Sequence, residues 1–348
     1  MTRVIQWATG VTGMMSLRHV IGRADLELAA VRVYDPAKAD IDAGTLCGLA
    51  ETGVRTSANR DDVLDTDADV VLYMGKVEMD TPGCFQDVCD LLRTGKNVVA
   101  TGSRFIHPRS LDAGLADAIE SACRAGGSTF LGLGLYPGFF GESLAPVLAR
   151  LTEKASRINV REVLNYSTYA SHDLIFNAMG FGHAPEDTTP LLTNPEYAAS
   201  AWIGSATVLT HALGLEIRGF EGFREVATTS RPLTVAAGEI PAGTVGAMRF
   251  GVVVDCGDTT LSVEHLTRMA DDLAPEWPTE IGYEVTFEGR PNLRVHMVIG
   301  GHEEDHAEQG CLATAMHAVN AIPAVISADP GLHDLSTISA FTPHWADR

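Results

Sequence analysis

Glycine residues near the start of the chain have the spacing of a phosphate-binding turn. Residues 8–13 read Ala-Thr-Gly-Val-Thr-Gly and match the dinucleotide-binding pattern G-x-G-x-x-G, with Ala8 in the place of the first glycine. Gly10 would let the backbone approach a pyrophosphate, and Gly13 would let the following helix pack closely on its strand. Free N–H groups and the dipole at the start of that helix attract phosphate. We therefore predict dinucleotide contacts from Thr9, Gly10, Val11, Thr12 and Gly13.

A carboxylate 22 residues after Gly13 bears on the choice of nicotinamide cofactor. Asp35 follows the second predicted strand, where a carboxylate accepts hydrogen bonds from the adenosine ribose hydroxyls and repels a 2′-phosphate. Arg32 and Lys38 would accommodate that phosphate if Asp35 turned away, and Asp35 is also placed to cap the turn before Pro36. The sequence therefore favours NAD(H) and leaves NADP(H) open.

Three more residues are placed at the cofactor by their position alone. Met74, Thr101 and Gly102 end the later predicted strands of the same region. Because the carboxyl ends of parallel strands line the cofactor crevice, we expect these residues to contact the dinucleotide.

A run of aromatic and histidine residues is typical of a small, largely apolar binding pocket. Residues 165–183 contain several such side chains and no lysine or arginine. Hydride transfer to a neutral substrate requires a dry cleft with few polar groups. Ordinary packing explains each residue equally well when it is taken alone. The predicted substrate-binding residues are Tyr169, His172, Phe176 and His183 within this run, and Tyr136 and Phe140 before it.

The segment from His302 to His306 matches the zinc-protease string H-E-x-x-H. That chemistry needs both histidines on one face of a helix, an apolar surround and a third ligand. Here the string follows two glycines and lies among acidic residues, between a predicted strand and a predicted helix. We therefore interpret it as a loop and expect no metal site.

Strand and helix patterns alternate through the first third of the chain. Apolar runs predict strands at residues 4–8, 26–34, 69–74, 97–101 and 129–135, with helices at 11–21, 84–93 and 110–124. Strands separated by helices of this length imply a parallel sheet. We therefore expect an α/β fold that begins with a Rossmann doubly wound parallel sheet.

The pattern changes after residue 137. Alternating runs predict strands at residues 159–169, 223–229, 246–254, 260–267, 281–288 and 293–299, with helices at 196–213 and 311–327. They indicate an α+β substrate domain with a mixed or antiparallel sheet, followed by a polar tail. We expect a Rossmann domain at residues 1–135, a substrate and dimerisation domain at 136–310, and a C-terminal helix at 311–330.

Composition and charge exclude several classes of partner. Acidic residues outnumber basic ones by 45 to 25 in the 348 residues, so the net charge of −20 disfavours nucleic acid and anionic membranes. The start runs directly into a strand, without a signal-peptide pattern, and the apolar stretch at 197–215 is interpreted as a buried helix. The six cysteines lack C-x-x-C spacing, which is typical of reduced thiols. We expect a cytoplasmic protein that acts on a small molecule.

Several short segments together resemble one family of dehydrogenases. The chain is similar to the 2,4-diaminopentanoate dehydrogenases and native amine dehydrogenases, whose N-terminal domain resembles that of dihydrodipicolinate reductase. The matching segments are residues 6–13, 42–48, 134–139, 179–182, 268–278 and 313–323. They cover nearly the whole chain in order. The resemblance implies an amine dehydrogenase-like homodimer whose last helix returns to the first domain, with Asn320 as a further cofactor contact.

One loop departs from the family pattern. Amine-forming members have a glutamate just after the strand that matches residues 97–101, whereas residues 101–108 here contain no carboxylate. Forming an imine from a ketone and ammonia requires proton transfer and loss of water, which a carboxylate serves well. Ser103, Arg104 and His107 are the alternative catalytic candidates, because they can bind a carbonyl oxygen or donate a proton.

Two classes of function follow from the sequence. The first is an NAD(P)H-dependent oxidoreductase that acts on a small, largely apolar ketone or imine, or in reverse on an amine or alcohol. Within it, amine dehydrogenase chemistry and reduction of a ketone or preformed imine without ammonia both stay open. The second class is a non-catalytic sensor that binds NAD(P) without turnover.

Overall fold

The short apolar segments of the N-terminal region form parallel strands in one sheet. The first structural unit comprises Met1–Gly138 and Cys311–Arg348, and the structure, a computed structural model, describes residues 1–301, 305–338 and 341–343. Its first strands are β1 (Thr2–Trp7), β2 (Leu26–Arg32), β3 (Thr56–Ser57), β4 (Val70–Tyr73), β5 (Asn97–Thr101) and β6 (Thr129–Leu133). Its first helices are α1 (Val11–Gly22), α2 (Ala43–Cys47), α3 (Arg60–Leu64), α4 (Thr81–Arg93), α5 (Pro108–Leu111) and α6 (Ala113–Gly126).

The second unit, Phe139–Gly310, is built around a mixed sheet. Its strands are β7 (Ala155–Asn165), β8 (Gly219–Thr228), β9 (Leu233–Val235), β10 (Gly238–Ile240), β11 (Val245–Asp255), β12 (Thr260–Arg268), β13 (Gly282–Gly289) and β14 (Leu293–Met297). Six of them form a sheet in the order β14-β13-β7-β12-β11-β8, while β9 and β10 pair separately. The β7–β12 pair is parallel and the other pairs are antiparallel. Helices α7 (Ala145–Ala149) and α8 (Pro195–Ala212) belong to this unit, with π-helical turns at Phe140–Leu144 and Asp173–Met179.

The chain returns to the first unit within helix α9 (His306–Ser327) and then forms strand β15 (Gly331–His333). Strand β15 pairs with β6, so the first sheet has seven parallel strands in the order β15-β6-β5-β4-β1-β2-β3. Apart from β15, this is the doubly wound order, which reverses between β1 and β4. Ligands of such sheets bind outside the carboxyl ends of the strands at that reversal.

Fully buried side chains make the first sheet a rigid support for those strand ends. All four residues of β4 are buried, as expected for a parallel strand covered by helices on both faces. The rings of Trp7, Tyr73 and Phe105 lie in one core, with the Trp7–Tyr73 centroids 5.9 Å apart and the Tyr73–Phe105 centroids 5.8 Å apart. Each buried ring of this size stabilises the fold by about 1.5–3 kcal/mol.

The fold class predicted from the sequence is confirmed, with local corrections. The predicted helix at 110–124 is two helices, because the Asp112 carboxylate accepts hydrogen bonds from Gly114 N and Leu115 N and caps a new helix. The predicted strand at 26–34 ends at Arg32, and the tail that was predicted to be polar and irregular contains strand β15.

Two apolar helices bear on the question of membrane insertion. Helix α8 contains the fully buried residues Ala206, Val208 and Leu209, which agrees with its interpretation as a core helix. Helix α9 has the length and apolar composition to cross a membrane, and 39% of its most apolar 18-residue window is buried inside the protein.

Candidate active site

The phosphate turn, residues 8–13, is fixed from inside by a neutral amide. Ala8 has a φ of +79°, the left-handed conformation that normally favours glycine and costs another residue about 1–2 kcal/mol. The fully buried Gln6 donates from Nε2 to the Ala8 carbonyl at 3.0 Å and accepts from Ser16 Oγ at 2.7 Å. These bonds hold Ala8 in the conformation that the first glycine of the pattern normally provides.

The two glycines of the phosphate turn have different reasons to lack a side chain. A Cβ on Gly13 would lie 2.3 Å from the Ala8 carbonyl oxygen, so α1 packs against the turn itself. A Cβ on Gly10 would meet no described atom within 4 Å. The space over Gly10 is therefore open on the side from which a ligand approaches.

The N-terminus of α1 offers hydrogen-bond donors at that open space. Helix α1 begins at Val11 with Gly10 as its N-cap, and among the described residues no side chain caps it. The first N–H groups of a helix lack intrahelical acceptors, and they carry the positive end of the helix dipole. This arrangement fits the pyrophosphate of a dinucleotide, with Thr9, Gly10, Val11, Thr12 and Gly13 as the residues that would hold it.

Asp35 and Lys38 frame the ribose end of the predicted cofactor site. Asp35 is exposed just beyond β2, and its Oδ1 accepts a hydrogen bond from Ala37 N at 2.9 Å, so it caps a short turn. Lys38 Nζ donates to the carbonyl of Thr9 at 3.0 Å and ties this turn to the phosphate turn. The Arg32 guanidinium lies 4.9 Å from the centre of the Tyr34 ring.

The carboxyl ends of β4 and β5 bring together a serine and a carboxylate that the sequence pattern did not connect. The segment after β5, Gly102 with Ser103–Phe105, is called here the serine turn. Glu78, from the loop between β4 and α4, accepts hydrogen bonds at Oε1 from Ser103 N at 2.9 Å and from Ser103 Oγ at 3.2 Å. Glu78 is half-buried. The Glu78 carboxylate therefore contacts the loop at residues 101–108, which contains no carboxylate of its own.

Gly102 makes this approach sterically feasible. Its φ is +133°, and a Cβ there would lie 2.5 Å from Val77 Cγ1 and 3.2 Å from Glu78 Oε1. The loop carrying Glu78 is fixed by Thr81, whose Oγ1 donates to the Val77 carbonyl at 2.8 Å. Thr101 is buried at the end of β5, and Met74 is half-buried just beyond β4.

The other two catalytic candidates of this loop have structural partners. His107 is the N-cap of α5, where Nδ1 accepts from Ser110 N at 3.2 Å and lies 2.6 Å from Ser110 Oγ. Its Nε2 lies 3.9 Å from the Asp334 carboxylate. Arg104 is buried within the serine turn. Their catalytic roles stay predictions.

A third turn of the first unit, residues 134–138, is hydrogen-bonded to helix α9. Both the turn and this part of α9 lie in segments that resemble the dehydrogenase family. A Cβ on Gly138 would lie 2.1 Å from Gly134 N, so the turn requires glycine at that position. The His317 imidazole in α9 donates from Nδ1 to the Gly134 carbonyl at 2.7 Å, and burial lowers the pKa of His317. Tyr136 is half-buried in this turn, and the Asn320 side chain accepts at Oδ1 from Arg23 Nη1 at 3.5 Å.

In two other segments that resemble the dehydrogenase family, a buried charged side chain forms hydrogen bonds that hold the backbone of a loop. The buried Asp42 carboxylate accepts hydrogen bonds from four backbone N–H groups, and these bonds lower its pKa against the opposing effect of burial. The Asp42 donors are Gly44, Thr45, Thr52 and Gly53. The buried Arg268 guanidinium donates to four backbone carbonyls, and these bonds hold the loop after β12. The Arg268 acceptors are Leu273, Ala274, Trp277 and Pro278.

The second unit contains an aromatic cluster around a buried histidine. The aromatic cluster is defined as Tyr166, Tyr169, Trp202 and Phe250 around His265. Tyr166 stacks on Tyr169 at 5.5 Å between centroids, and the Phe250 ring lies 5.1 Å from the His265 ring. His265 Nδ1 bonds to the buried Glu162, whereas its Nε2 has no hydrogen-bond partner among the described residues. Of this group the sequence predicted only Tyr169 as a binding residue.

The remaining predicted substrate residues do not form one group. The Phe140 ring is fully buried and stacks on Tyr283 at 4.3 Å, which is a packing role. His172 is exposed and lies 4.7 Å from the Phe176 ring. His183 bonds to Asp187 at 2.8 Å and lowers the pKa of that carboxyl to about 2. Their roles in substrate binding stay predictions.

The zinc-like string and the cysteines add no further site. His302, Glu303 and Glu304 lie outside the described residues, and His306 Nδ1 lies 2.9 Å from the Ile299 carbonyl. Within residues 1–301, 305–338 and 341–343, no group of three or more metal-ligating side chains is close enough to hold an ion. All six cysteines are free thiols, and burial raises the pKa of Cys123 to about 12.

Comparisons with known proteins identify relatives along the whole chain. Residues 140–347 match the model of the 2,4-diaminopentanoate dehydrogenase C-terminal domain. The chain is 30% identical over 346 residues to an amine dehydrogenase of Streptomyces virginiae, covering 96% of this chain and 95% of that protein. It is 24% identical to the 2,4-diaminopentanoate dehydrogenase of Acetoanaerobium sticklandii, over 81% of this chain and 77% of the relative.

A solved structure supports the fold independently. The amine dehydrogenase from Mycobacterium smegmatis superimposes with a TM-score of 0.79 at 19% identity, over 100% of this chain and 97% of that one. At this identity the likeness establishes the architecture that carries the phosphate turn.

Proposed function

This chain belongs to the 2,4-diaminopentanoate dehydrogenase family, and from that premise we propose that it interconverts a small, largely apolar primary amine with its ketone or aldehyde. The observation that carries the cofactor half of this proposal is the phosphate turn, where Gly10 opens onto the N-terminus of α1. The family membership carries the choice of the amine.

We propose NAD(H) as the preferred cofactor. Asp35 lies just beyond β2, where a carboxylate suits unphosphorylated ribose. Lys38, which would be needed for a 2′-phosphate, is engaged with the Thr9 carbonyl in the phosphate turn. When bound, the nicotinamide supplies or accepts a hydride.

The residues of the chain then have separate tasks. The phosphate turn binds the pyrophosphate, and the carboxyl ends of β4 and β5 orient the nicotinamide half. We propose that Tyr166 and Tyr169, the two half-buried rings of the aromatic cluster, contact the apolar part of the substrate, because rings exclude water and bury a large apolar area.

Absorbance at 340 nm tests the reaction. We expect NADH oxidation with hydrophobic ketones or aldehydes only when ammonium is present, and NADH to give a kcat/KM roughly tenfold above that of NADPH, equivalent to about 1.4 kcal/mol. An equal rate without ammonium would identify a ketone reductase instead. Cofactor binding without turnover of any carbonyl would favour a sensor.

We also propose that the enzyme is a cytoplasmic homodimer. The net charge of −20 is consistent with a protein that binds neither nucleic acid nor anionic membranes. Light scattering coupled to size-exclusion chromatography tests the dimer, for which we expect twice the 37.1 kDa chain mass. A monomer mass at micromolar concentration would contradict it.

A further inference from the structure

We propose that Glu78 is the carboxylate that exchanges protons with the nitrogen and oxygen of the substrate. This inference rests on the proposed amine dehydrogenase function and assigns a residue to it. Glu78 lies on the loop between β4 and α4 and was not among the candidates that the sequence identified. It is 25 positions away from the serine turn where the family pattern places its glutamate.

The first argument is the way in which Glu78 is held. Its Oε1 accepts from both Ser103 N, at 2.9 Å, and Ser103 Oγ, at 3.2 Å. Two bonds to one oxygen fix the carboxylate against the serine turn, and the bond from Ser103 N does not depend on the rotamer of the Ser103 side chain. The loop in which the family pattern has its glutamate therefore binds a glutamate from elsewhere in the chain.

The second argument is position in the sheet. Glu78 follows β4 and contacts the turn that follows β5, so it lies at the carboxyl edge of two adjacent strands. In a doubly wound sheet the β1–β3 half binds the adenosine side and the half starting at β4 binds the nicotinamide side. The carboxylate is therefore placed at the end of the cofactor where hydride transfer occurs.

The third argument is that Gly102 lets the loop carrying Glu78 approach. A side chain at Gly102 would collide with Val77 at 2.5 Å and press on Glu78 Oε1 at 3.2 Å. Val77 is fully buried, so the loop cannot move outward without exposing it. The backbone of this turn is shaped to receive the carboxylate.

The chemistry assigned to Glu78 is balanced and returns the carboxylate unchanged. Ammonia attacks the carbonyl carbon, a C–N bond forms, and the π electrons of the C=O bond move to oxygen. Glu78, already protonated by the ammonium ion from which this ammonia came, gives that proton to the oxygen, and its carboxylate then takes a second proton from nitrogen and passes it to the hydroxyl, which departs as water. The iminium carbon then accepts the hydride and its two electrons from NADH. Such proton transfer contributes roughly 10²- to 10⁴-fold to a rate.

The alternative role for Glu78 is structural, as a cap for the serine turn. Two substitutions separate the two roles by which variant retains more activity. Glu78→Gln keeps an Oε1 acceptor for both bonds from Ser103 but cannot carry a proton at neutral pH. Glu78→Asp keeps a carboxylate but is one methylene too short for the same bonds. A proton-transfer role predicts more activity in the Asp variant, and a structural role predicts more in the Gln variant.

The experiment measures ammonium-dependent NADH oxidation in the full-length wild type, Glu78→Gln, Glu78→Asp and the control Glu51→Gln, which alters an exposed glutamate of the same unit. We expect at least a 100-fold loss of kcat for Glu78→Gln, a smaller loss for Glu78→Asp, and less than a twofold change for Glu51→Gln. Retention of one third or more of wild-type kcat by Glu78→Gln would overturn the assignment.

A binding measurement separates this inference from the proposed function. tert-Butylammonium carries no hydrogen on the carbon next to nitrogen, so it cannot be oxidised and reports amine binding alone. By calorimetry on the NAD⁺-saturated protein, we expect Glu78→Gln to weaken its binding at least tenfold and Glu51→Gln to leave it unchanged. Amine binding that depends on Glu78 without any turnover would refute the proposed function but support the assignment. Turnover and amine binding that are both unchanged in Glu78→Gln would support the proposed function and refute the assignment of Glu78.

Discussion

The phosphate turn and the serine turn are built alike but carry opposite electrostatic character. Both follow parallel strands of the first sheet, and both begin with a residue of positive φ, Ala8 at +79° and Gly102 at +133°. The phosphate turn is held from within by the neutral Gln6 amide, and its helix N–H groups have no side-chain cap among the described residues. In the serine turn the N–H of Ser103 already donates to the Glu78 carboxylate.

From this difference we propose that the two turns serve different ends of a dinucleotide. Donors without acceptors attract an external anion, which is the pyrophosphate. A turn that already binds a carboxylate repels phosphate and suits a neutral ring or a cationic amine. Two turns at the carboxyl edge of one sheet are therefore distinguished by whether the chain supplies the anion itself.

The largest effect should come from filling the tight side of the phosphate turn. Gly13→Ala would place a Cβ 2.3 Å from the Ala8 carbonyl oxygen, so α1 must shift. We expect NADH affinity to fall at least 100-fold and the unfolding free energy to fall by about 1–3 kcal/mol, which lowers Tm by roughly 2–10 °C. Isothermal titration and scanning calorimetry measure the two changes.

The matched control is the same substitution on the open side of that turn. Gly10→Ala meets no described atom within 4 Å, so Tm should stay within about 2 °C while NADH binding weakens roughly tenfold. Equal thermal destabilisation by the two substitutions would show that the turn does not have a packed and an open side.

The second effect concerns the serine turn. Gly102→Ala would push the new Cβ against Val77 Cγ1 at 2.5 Å and displace the loop that carries Glu78. We expect kcat to fall at least tenfold while the Kd of ADP-ribose, which lacks the nicotinamide, changes less than threefold. A large loss of ADP-ribose affinity with unchanged kcat would reverse the assignment of the two turns.

A smaller effect should follow loss of the internal amide. Gln6→Met leaves the Ala8 carbonyl and the Ser16 hydroxyl without their bonds to Gln6, which costs about 1–3 kcal/mol for buried groups. Thermal unfolding should show this loss, together with a several-fold weaker NADH affinity. Ser16→Ala removes only the outer bond and should cost less. If Ser16→Ala is the more damaging variant, Gln6 does not support the turn.

The smallest effect concerns the turn at residues 134–138, which is clamped by an imidazole. Burial lowers the pKa of His317 below its usual 6.5, so the unfolded chain takes up the proton first as the pH falls. Stability is therefore complete above pH 6.5 and decreases below it, by at most about 1.4 kcal/mol per pH unit. The Tm difference between pH 7.5 and pH 5.5 should shrink in His317→Gln, whereas an unchanged difference would contradict the assignment.

The phosphate turn was predictable because its information is local. The spacing of Gly10 and Gly13 within one strand, turn and helix determines the backbone without long-range contacts. The sheet was predictable for a similar reason, since buried parallel strands such as β4 read as short apolar runs. Helix α6 was misplaced at its start, because Asp112 is an ordinary polar residue until its capping bonds are seen.

The carboxylate of the serine turn was not predictable from that loop. The contact of Glu78 with Ser103 depends on the neighbouring β4 and β5, and no residue pattern links the two positions. The pair of Glu162 and His265 is similar, because strands β7 and β12 bring together residues 103 positions apart. Composition of a single loop is therefore weak evidence that a chemical group is missing from a site.

Strand β15 has a consequence for how the protein is made. The first unit takes its seventh strand and all of α9 from Cys311 onward from residues that the ribosome adds after the whole second unit. At roughly 5–20 residues per second, translating the intervening segment of about 170 residues takes on the order of 10–30 s. During that interval the free edge of β6 and the apolar surface that α9 will cover stay exposed. A nascent chain paused before Cys311 is thus the species that molecular chaperones should engage most strongly.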